Sequence, residues 1–173
     1  MAVNVAFDIL YREYYVRVFG LCRLLLNSAT LAEDATQEAF MRVYRNFNRY
    51  DSSKPFWQWI SSIASNHCID MLRQKNRRDA LFGDAAEEQE QMISAGDEPL
   101  NEIMEAENSE ILSPLIQALP DKFRVPLILA YFHGSSYEEI ANDLSISRNH
   151  VGVLLLRAKQ HLRKSLGAKG VAA

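Results

Sequence analysis

At 173 residues with 48% hydrophobic side chains, the chain is long enough to bury one ordinary domain or two small ones, and its composition excludes a fibrous or wholly disordered protein. Its net charge of −3 is divided sharply: residues 1–78 carry +4, residues 79–110 carry −11 with no Lys or Arg, and residues 111–173 carry +4. Two mildly basic regions separated by an acidic segment are typical of two nucleic-acid-facing domains joined by a linker, rather than of one globular domain.

The cysteines and the apolar runs predict a reduced, cytoplasmic setting. Cys22 and Cys68 are isolated and lack C-x-x-C spacing, so we interpret them as buried small hydrophobic residues in preference to a disulfide or a zinc site. Residues 1–20 lack the basic-then-apolar pattern of a signal peptide. The longest leucine-rich run, Leu21 to Leu26, is short and is interrupted by Arg23, so we expect no direct insertion into a membrane.

Two amphipathic helices are predicted first, and 3.6-residue periodicity through most of the chain indicates an all-α fold. The first runs from about Val5 to Leu26, and its apolar positions recur every three or four residues. They are Phe7, Leu10, Tyr11, Tyr14, Val18, Leu21 and Leu25. Thr30 and Glu33 form a capping box that opens the second helix, which continues to about Phe47. Its inward positions are Ala35, Ala39, Val43 and Phe47.

The outer face of the second helix is rich in carboxylates. It presents Glu33, Asp34, Gln37, Glu38 and Met41. A metal site or an acid–base pair is disfavoured because no histidine accompanies these residues, and acidic residues are common in a first helical turn. A solvated surface and a protein-docking surface both remain open.

A third helix is predicted from Phe56 to about Arg78, with Pro55 in its first turn. Its buried side carries Ile60, Ile63, Ala64, Cys68 and Met71. Aromatic residues crowd its start, and it ends with Arg73, Lys75, Arg77 and Arg78. The cations are explained either as an electrostatic cap or, together with the aromatic residues, as a site for single-stranded DNA. His67 has apolar neighbours and is interpreted as a core histidine.

Residues 79–100 lack periodicity and predict a flexible acidic linker. Helical pattern resumes at about Leu100 and continues to Leu119. A short helix follows from Lys122 to Phe132, with Pro126 in its first turn.

The stretch from Ser135 to Leu166 has the pattern of a helix-turn-helix. Ser135 and Glu138 form a capping box for the first helix, and Ser147 caps the second. A buried stripe then follows, formed by Val151, Leu155, Ala158, Leu162 and Leu166. A short helix, a tight turn and a longer helix with a polar start are typical of DNA-binding proteins, although two ordinary core helices would show the same stripe.

In order and spacing, three segments resemble the extracytoplasmic-function group of sigma-70 RNA polymerase sigma factors. AEDATQEAFMRVYRNFNRYD (Ala32 to Asp51) is similar to the clamp-binding segment, and WQWISSIASNHCIDMLRQKNRR (Trp57 to Arg78) to the promoter-melting helix. ALPDKFRVPLILAYFHGSSYEEIANDLSISRNHVGVLLLRAK (Ala118 to Lys159) resembles the reader of the upstream element.

The resemblance implies a promoter-specificity subunit of RNA polymerase with no catalytic site, cofactor, metal or small-molecule substrate. Residues 1–78 would be the region 2 domain, 79–100 a linker near the RNA exit path, and 101–173 the region 4 helix-turn-helix domain. The implied partners are core polymerase (the beta-prime clamp helices and the beta flap), promoter DNA and an anti-sigma factor.

The resemblance also implies roles for particular residues. Asp34, Gln37, Glu38 and Met41 would dock on the clamp helices. The residues that would capture the minus-ten element are Tyr50, Phe56, Trp59, Asn66, Asp70 and Arg73. Its phosphates would be held by Lys75, Arg77 and Arg78. The minus-thirty-five element would meet Arg148, Asn149, His150, Val153, Leu156, Arg157 and Lys159.

The recognition helix departs from the family pattern. Family members carry a basic residue, a serine and another basic residue where this chain has Gly152, Val153 and Leu154. Val153 and Leu156 are then explained in three ways: they read thymine methyl groups, they bind an anti-sigma protein, or they pack on a neighbouring helix.

Two rival functions are weaker. A free-standing helix-turn-helix regulator would bind palindromes as a dimer, but no heptad seam for dimerisation is visible. A metalloenzyme using Glu33, Asp34 and Glu38 lacks ligands, because the four histidines are scattered.

Overall fold

The computed structural model describes residues 2–75 and 109–168, and both ranges are helical apart from short turns. They belong to two compact units, divided between Arg77 and Arg78. The predicted all-α fold with two small helical domains is therefore confirmed. The predicted linker, 79–100, lies outside the described residues, and the ends assigned to each domain stay predictions.

The first unit is a bundle of α1 (Ala2–Leu26), α2 (Ala29–Arg45) and α3 (Phe56–Lys75), with a short 3-10 turn (Phe47–Arg49) after α2. Each helix packs against the other two. Their buried residues include Val18, Leu21, Cys22, Leu25, Ala32, Ala35, Ala39, Phe40, Val43, Ile60, Ala64, Cys68, Ile69 and Leu72. Because each helix buries only one side, the outer sides of α2 and α3 are available to partners.

The predicted stripe of α1 is only half buried. Val18 and the leucines after it are in the core, whereas Tyr11 is exposed. In the first half, the Phe7 ring meets α2 edge-on, and its centroid lies 6.2 Å from that of Phe40 and 5.0 Å from that of Tyr44. Helical spacing identified an apolar face correctly but could not tell how much of it a neighbour covers.

The start of α2 corrects one predicted cap. Ser28, in extended conformation, is the N-cap, and its hydroxyl accepts a hydrogen bond from the Leu31 N–H at 3.4 Å. The helix therefore begins before Thr30, which lies inside the first turn, and the predicted Thr30–Glu33 capping box is wrong. Asn27 ends α1 in the left-handed conformation (φ +52°), which asparagine tolerates better than most residues.

The buried side of α3 is broader than predicted. Ile60, Ala64 and Cys68 are buried as expected, but Ile63 and Met71 are only half-buried. Ile69 and Leu72 complete the core in addition. A helix that packs against two neighbours buries a wider surface than a single stripe of apolar spacing indicates.

The second unit contains α4 (Ser109–Ala118), α5 (Asp121–Ile128), a π-helical turn (Leu129–His133), α6 (Tyr137–Leu144) and α7 (Arg148–Ala168). The predicted buried stripe of α7 is confirmed at every position: Val151, Leu155, Ala158, Leu162 and Leu166. Helix α7 packs against both α5 and α6, so it is the central helix of this unit.

Two predictions for the second unit require correction. Pro126 lies in the second turn of α5 rather than the first, because α5 begins at Asp121. The capping box of α6 is formed by Ser136 and Glu139, one residue later than predicted. The sequence S-S-Y-E-E offers two overlapping S-x-x-E frames, and in the structure Ser135 is occupied by a 2.6 Å hydrogen bond with His133 Nδ1.

A buried cation stabilises the start of α5. Arg124 is only 3% exposed; it pairs with Asp121 and donates to the Leu119 carbonyl at 2.8 Å.

Asp121→Ala should destabilise the second unit by about 2 kcal/mol, because the guanidinium loses its charged partner inside the fold. Urea denaturation followed by far-UV circular dichroism measures this loss.

Tryptophan fluorescence provides an internal control for Asp121→Ala. Both tryptophans, Trp57 and Trp59, belong to α3 of the first unit, so their unfolding transition should not move. An unchanged dichroism transition would contradict the role assigned to the Asp121–Arg124 pair.

Candidate nucleic-acid interface

The outer face of α2 presents the predicted docking residues together. Asp34, Gln37 and Met41 are exposed, and Glu38 is partly exposed. Sequence reasoning missed Tyr44, which is 47% exposed. Its position could have been found from spacing, since Gln37, Met41 and Tyr44 are i, i+4 and i+7 on one helix face. The face therefore combines carboxylates with two exposed apolar side chains, a composition suited to a protein partner.

Glu38 is held in place by a neighbour one turn along α2. Its Oε1 accepts a hydrogen bond from Arg42 Nε at 2.7 Å. That hydrogen bond is the main cause of a pKa for Glu38 below its ordinary value, so the carboxylate stays ionised. The charge on this face is therefore permanent at neutral pH.

Arg42 also reaches α3. One of its terminal nitrogens lies 3.2 Å from His67 Nδ1. Burial, and then the Arg42 charge, hold the pKa of His67 below its ordinary value. The interpretation of His67 as a histidine satisfied within the fold is consistent with this contact, but the imidazole is half-buried rather than in the core.

The loop before α3 is held by its own hydrogen bonds. The Tyr50 hydroxyl donates to the Lys54 carbonyl at 2.7 Å. Asp51 Oδ1 accepts from the Ser53 N–H at 3.0 Å and from the Ser53 hydroxyl at 2.7 Å, and these bonds lower the pKa of Asp51. A turn bonded at both ends presents Tyr50 in a defined position.

Three predicted aromatic residues meet at the start of α3. The Tyr50 and Trp59 rings are stacked, with centroids 5.0 Å apart and planes 17° apart. Phe56 packs against both, 5.6 Å from Tyr50 and 6.1 Å from Trp59. Its placement departs from the prediction of a DNA contact: Phe56 is 5% exposed and supports the other two rings from within the core.

Trp57 belongs to a different contact. The Arg17 guanidinium lies 3.8 Å above its ring, and Tyr14 is stacked beside it with centroids 6.5 Å apart. This cation–π contact joins α1 to α3 and was not predicted, because no sequence spacing connects residues that are forty positions apart.

The polar residues predicted on α3 share one side of the helix. Asn66 and Asp70 are exposed, and Arg73 is half-buried with a guanidinium nitrogen 3.9 Å from the Asp70 carboxylate. Lys75 is exposed at the end of α3. Arg77 and Arg78 lie outside the described residues.

The helix-turn-helix is present in the second unit. Ser147 caps α7 as predicted, its hydroxyl accepting from the His150 N–H at 3.1 Å. Arg148 and Asn149 are exposed at the start of α7, and Arg148 lies 3.8 Å from Glu138 of α6. A polar, exposed first turn is the geometry with which a recognition helix enters a major groove.

The departure from the family pattern is partly explained by packing. Leu154 is buried, so it is a core residue, and Gly152 lies near Tyr137 of α6, whose ring would be 4.0 Å from an added Cβ. Val153 and Leu156 are half-buried, which leaves their role a prediction.

The remaining predicted residues of α7 are half-buried. Burial, and then the nearby Arg157 charge, lower the pKa of His150. Lys159 Nζ lies 5.7 Å from the Tyr131 ring centroid, so its ammonium is directed along its own unit.

The two cysteines are free and buried, as predicted. A hydrogen bond with Cys22, and then burial, raise the pKa of Cys68 far above its ordinary value, so this thiol stays protonated. Within residues 2–75 and 109–168, no helix is both long and apolar enough to cross a membrane. The same part of the chain has no cluster of three or more His, Cys, Asp and Glu side chains that could hold a metal ion.

Family comparison assigns each unit separately. Residues 10–78 match Sigma-70 region 2, and residues 109–162 match Sigma-70, region 4. The ECF RNA polymerase sigma factor SigW of Bacillus subtilis is 32% identical over 88% of this chain and 84% of its own length. SigM of the same organism is 31% identical over 95% of this chain and 96% of its own length.

Solved structures share the fold. The sigma factor RpoE from Bartonella quintana, in complex with the anti-sigma factor NepR, aligns with a TM-score of 0.59 at 17% identity, over 94% of this chain and 97% of its own. CnrH, in complex with the cytosolic domain of CnrY, aligns with a TM-score of 0.55 at 22% identity, over 95% of this chain and 90% of its own.

Proposed function

Because this chain belongs to the extracytoplasmic-function group of the sigma-70 family of RNA polymerase sigma factors, we propose a division of labour between its two units. The chain is a sigma factor: it binds core RNA polymerase and directs promoter recognition and transcription initiation. Its first unit docks on the polymerase and opens the minus-ten element. Its second unit reads the minus-thirty-five element and approaches the beta flap.

The docking surface is the outer face of α2. Asp34, Gln37, Glu38 and Met41 bind the clamp helices of the beta-prime subunit. The observation that carries this assignment is the ionised Glu38 carboxylate, held at 2.7 Å by Arg42 beside the exposed Met41. Carboxylates beside exposed apolar side chains suit a basic partner, since charge sets the register and apolar burial provides affinity.

The minus-ten element meets the loop before α3 and the polar side of that helix. The stacked Tyr50 and Trp59 rings provide an aromatic surface for an unstacked base of the non-template strand. Asn66, Asp70 and Arg73 flank the strand, and Lys75, Arg77 and Arg78 attract its phosphates. Phe56 contributes indirectly, as the buried support of the two rings.

The minus-thirty-five element meets the start and outer side of α7. Arg148, Asn149 and Arg157 contact the backbone and base edges, with His150 and Lys159 beside them. Val153 and Leu156 offer apolar contacts to thymine methyl groups. Residues 151–156 of this helix (VGVLLL) carry no hydrogen-bonding side chain, so shape and apolar contact contribute much of the discrimination there.

The proposed function also specifies the limits of the two domains, the cellular location and a further partner. Residues 1–78 form the polymerase-docking and melting domain, 79–100 the acidic linker, and 101–173 the upstream-reading domain. The chain has no catalytic site of its own and acts in the cytoplasm. An anti-sigma protein is a further partner, because the related sigma factor RpoE was solved in complex with the anti-sigma factor NepR.

Run-off transcription with core polymerase on a promoter library tests the function. The chain should produce promoter-specific transcripts only in the presence of core enzyme, and the selected promoters give the recognised sequence. Failure to bind core enzyme would refute the proposal. Tight binding of a palindrome by a dimer without polymerase would support the free-standing regulator instead.

Arg157→Ala tests the placement of α7 on DNA. We expect use of the minus-thirty-five element to weaken by about 1 kcal/mol or more, because one charged contact to the duplex is lost. Transcription from matched promoters with an intact and a scrambled minus-thirty-five element measures this effect. On the promoter with the scrambled element, the variant and the wild type should produce equal amounts of transcript. Unchanged output on the intact one would show that Arg157 does not face DNA.

A further inference from the structure

A chain of hydrogen bonds connects the docking face of α2 with α3. Arg42 donates through Nε to Glu38 Oε1 at 2.7 Å, and its terminal nitrogen lies 3.2 Å from His67 Nδ1. Glu38 and Arg42 are one turn apart on α2, whereas His67 is on α3. One guanidinium therefore bridges a carboxylate on one helix and an imidazole on the other.

The chemistry of arginine determines the state of His67. A guanidinium has only donors and keeps its charge at all accessible pH values, so Nδ1 must accept and must carry no proton. The imidazole is then neutral, with its proton on Nε2. A protonated His67 would place two cations 3.2 Å apart and would have no acceptor for Arg42.

The charged groups around His67 shift its pKa in opposite directions. Burial and Arg42 lower the pKa of His67, while Glu38 on α2 and Asp70 on α3 oppose them. The net direction is downward, so the neutral state required by the hydrogen bond predominates at neutral pH.

Among the described residues, the Arg42 guanidinium has two side-chain hydrogen-bond partners, Glu38 and His67, so without His67 one of them would remain. Arg42 and Glu38 are partly exposed, 41% for Arg42 and 37% for Glu38, and an exposed pair of long side chains samples many rotamers. Fixing one end of the guanidinium on α3 restricts the rotamers of Arg42 and, through it, those of Glu38. The carboxylate is thus presented to a partner in fewer orientations before binding than an unrestrained pair would offer.

We propose that His67 is a positioning residue of the docking face: by accepting a hydrogen bond from Arg42 it holds Glu38 in the orientation that core polymerase binds. This inference rests on the proposed docking of α2 on the polymerase. It assigns to a residue of α3 an effect on core binding, although the neighbouring Asn66 and Asp70 are assigned to DNA.

The affinity of full-length variants for core polymerase tests the proposal. His67→Leu keeps the bulk but removes the acceptor, and should weaken binding roughly five-fold because Glu38 must be ordered during binding. His67→Asn places an amide oxygen where Nδ1 was, and should restore wild-type affinity. Equal affinities for His67→Leu and the wild type would overturn the proposal, as would a His67→Asn variant as weak as His67→Leu.

A double-mutant cycle separates positioning from a general structural role. In a Glu38→Ala background, His67→Leu should have almost no further effect, because no carboxylate remains for Arg42 to position. Equal fold-changes in both backgrounds would overturn positioning. If Glu38→Ala alone leaves the affinity unchanged, the proposed docking face itself fails, an outcome distinct from failure of His67 alone.

The pH dependence supplies a readout that needs no leucine variant. Acidification protonates His67 and removes its acceptor, so wild-type affinity should be intact above the lowered His67 pKa and should fall below it. The His67→Asn variant, which cannot titrate there, reports the pH dependence of all the other groups in the complex. Identical pH profiles for wild type and His67→Asn would overturn the proposal.

Discussion

Replacing Glu38 with arginine is expected to abolish binding to core RNA polymerase while leaving the fold intact. If α2 docks on a basic surface of the polymerase as proposed, the substitution brings like charges together across the interface, which costs several kcal/mol. It also breaks the 2.7 Å hydrogen bond with Arg42 and leaves two cations one turn apart. A pull-down with core polymerase measures the loss of binding, which we expect to exceed about 100-fold.

The fold and the charge require separate controls for Glu38→Arg. Far-UV circular dichroism should be unchanged, because the Glu38 side chain is on the outer face of α2, is 37% exposed and is not part of the buried core. Glu13→Arg makes the same change of net charge at an exposed site on α1, to which no docking role is assigned, and should retain core binding. Retention of Glu38→Arg at the wild-type level would count against the docking role of α2.

Trp59→Ala should strongly impair promoter opening while core binding persists. The Trp59 ring is stacked on Tyr50 and supported by Phe56, so the variant removes the larger half of a surface formed in the free protein. Stacking of a base on an aromatic side chain is worth about 1–3 kcal/mol, so open complexes should decrease roughly ten-fold or more. Fluorescence of 2-aminopurine in the minus-ten element measures opening by the assembled holoenzyme.

Two matched variants show whether the loss of promoter opening in Trp59→Ala comes from the loss of its aromatic ring. Trp59→Phe keeps a ring and should retain most of the opening activity. Trp57→Phe changes the same residue type two positions away, where Arg17 covers the ring at 3.8 Å, and should have little effect on opening. Normal opening by Trp59→Ala, or an equal loss in Trp57→Phe, would be incompatible with a base stacking on Trp59.

Within the first unit, the sequence predicted the α2 part of the candidate site more completely than the α3 part. On α2, the exposure of Asp34, Gln37 and Met41 followed from helical spacing, because residues three and four apart share a face. At the start of α3, the aromatic residues were identified, but their arrangement was not: which ring is exposed depends on contacts between α1, α3 and the loop. Phe56 is the clearest case, since nothing in its local sequence distinguishes it from Trp59.

The helix N-caps show that sequence reasoning is also limited for local structure. Ser147 was assigned correctly, whereas Ser28 and Ser136 form caps that the sequence placed at Thr30 and Ser135. Each misplaced cap is a choice between hydroxyl residues of similar capping propensity that lie one or two positions apart. The free-energy difference between neighbouring frames is small, and the position of the helix within the packed unit decides between them.

Taken by itself, the sequence determined the helical class, the division into two basic bodies, the helix-turn-helix and the outer face of α2, because periodicity and charge are local properties that survive any packing. Only the tertiary structure decided that Phe56 and Leu154 are buried, that Arg17 covers Trp57, and that Arg42 bridges Glu38 to His67. Those contacts join residues distant in the chain, and a repeating pattern of apolar residues says which side of a helix is buried without saying what lies against it.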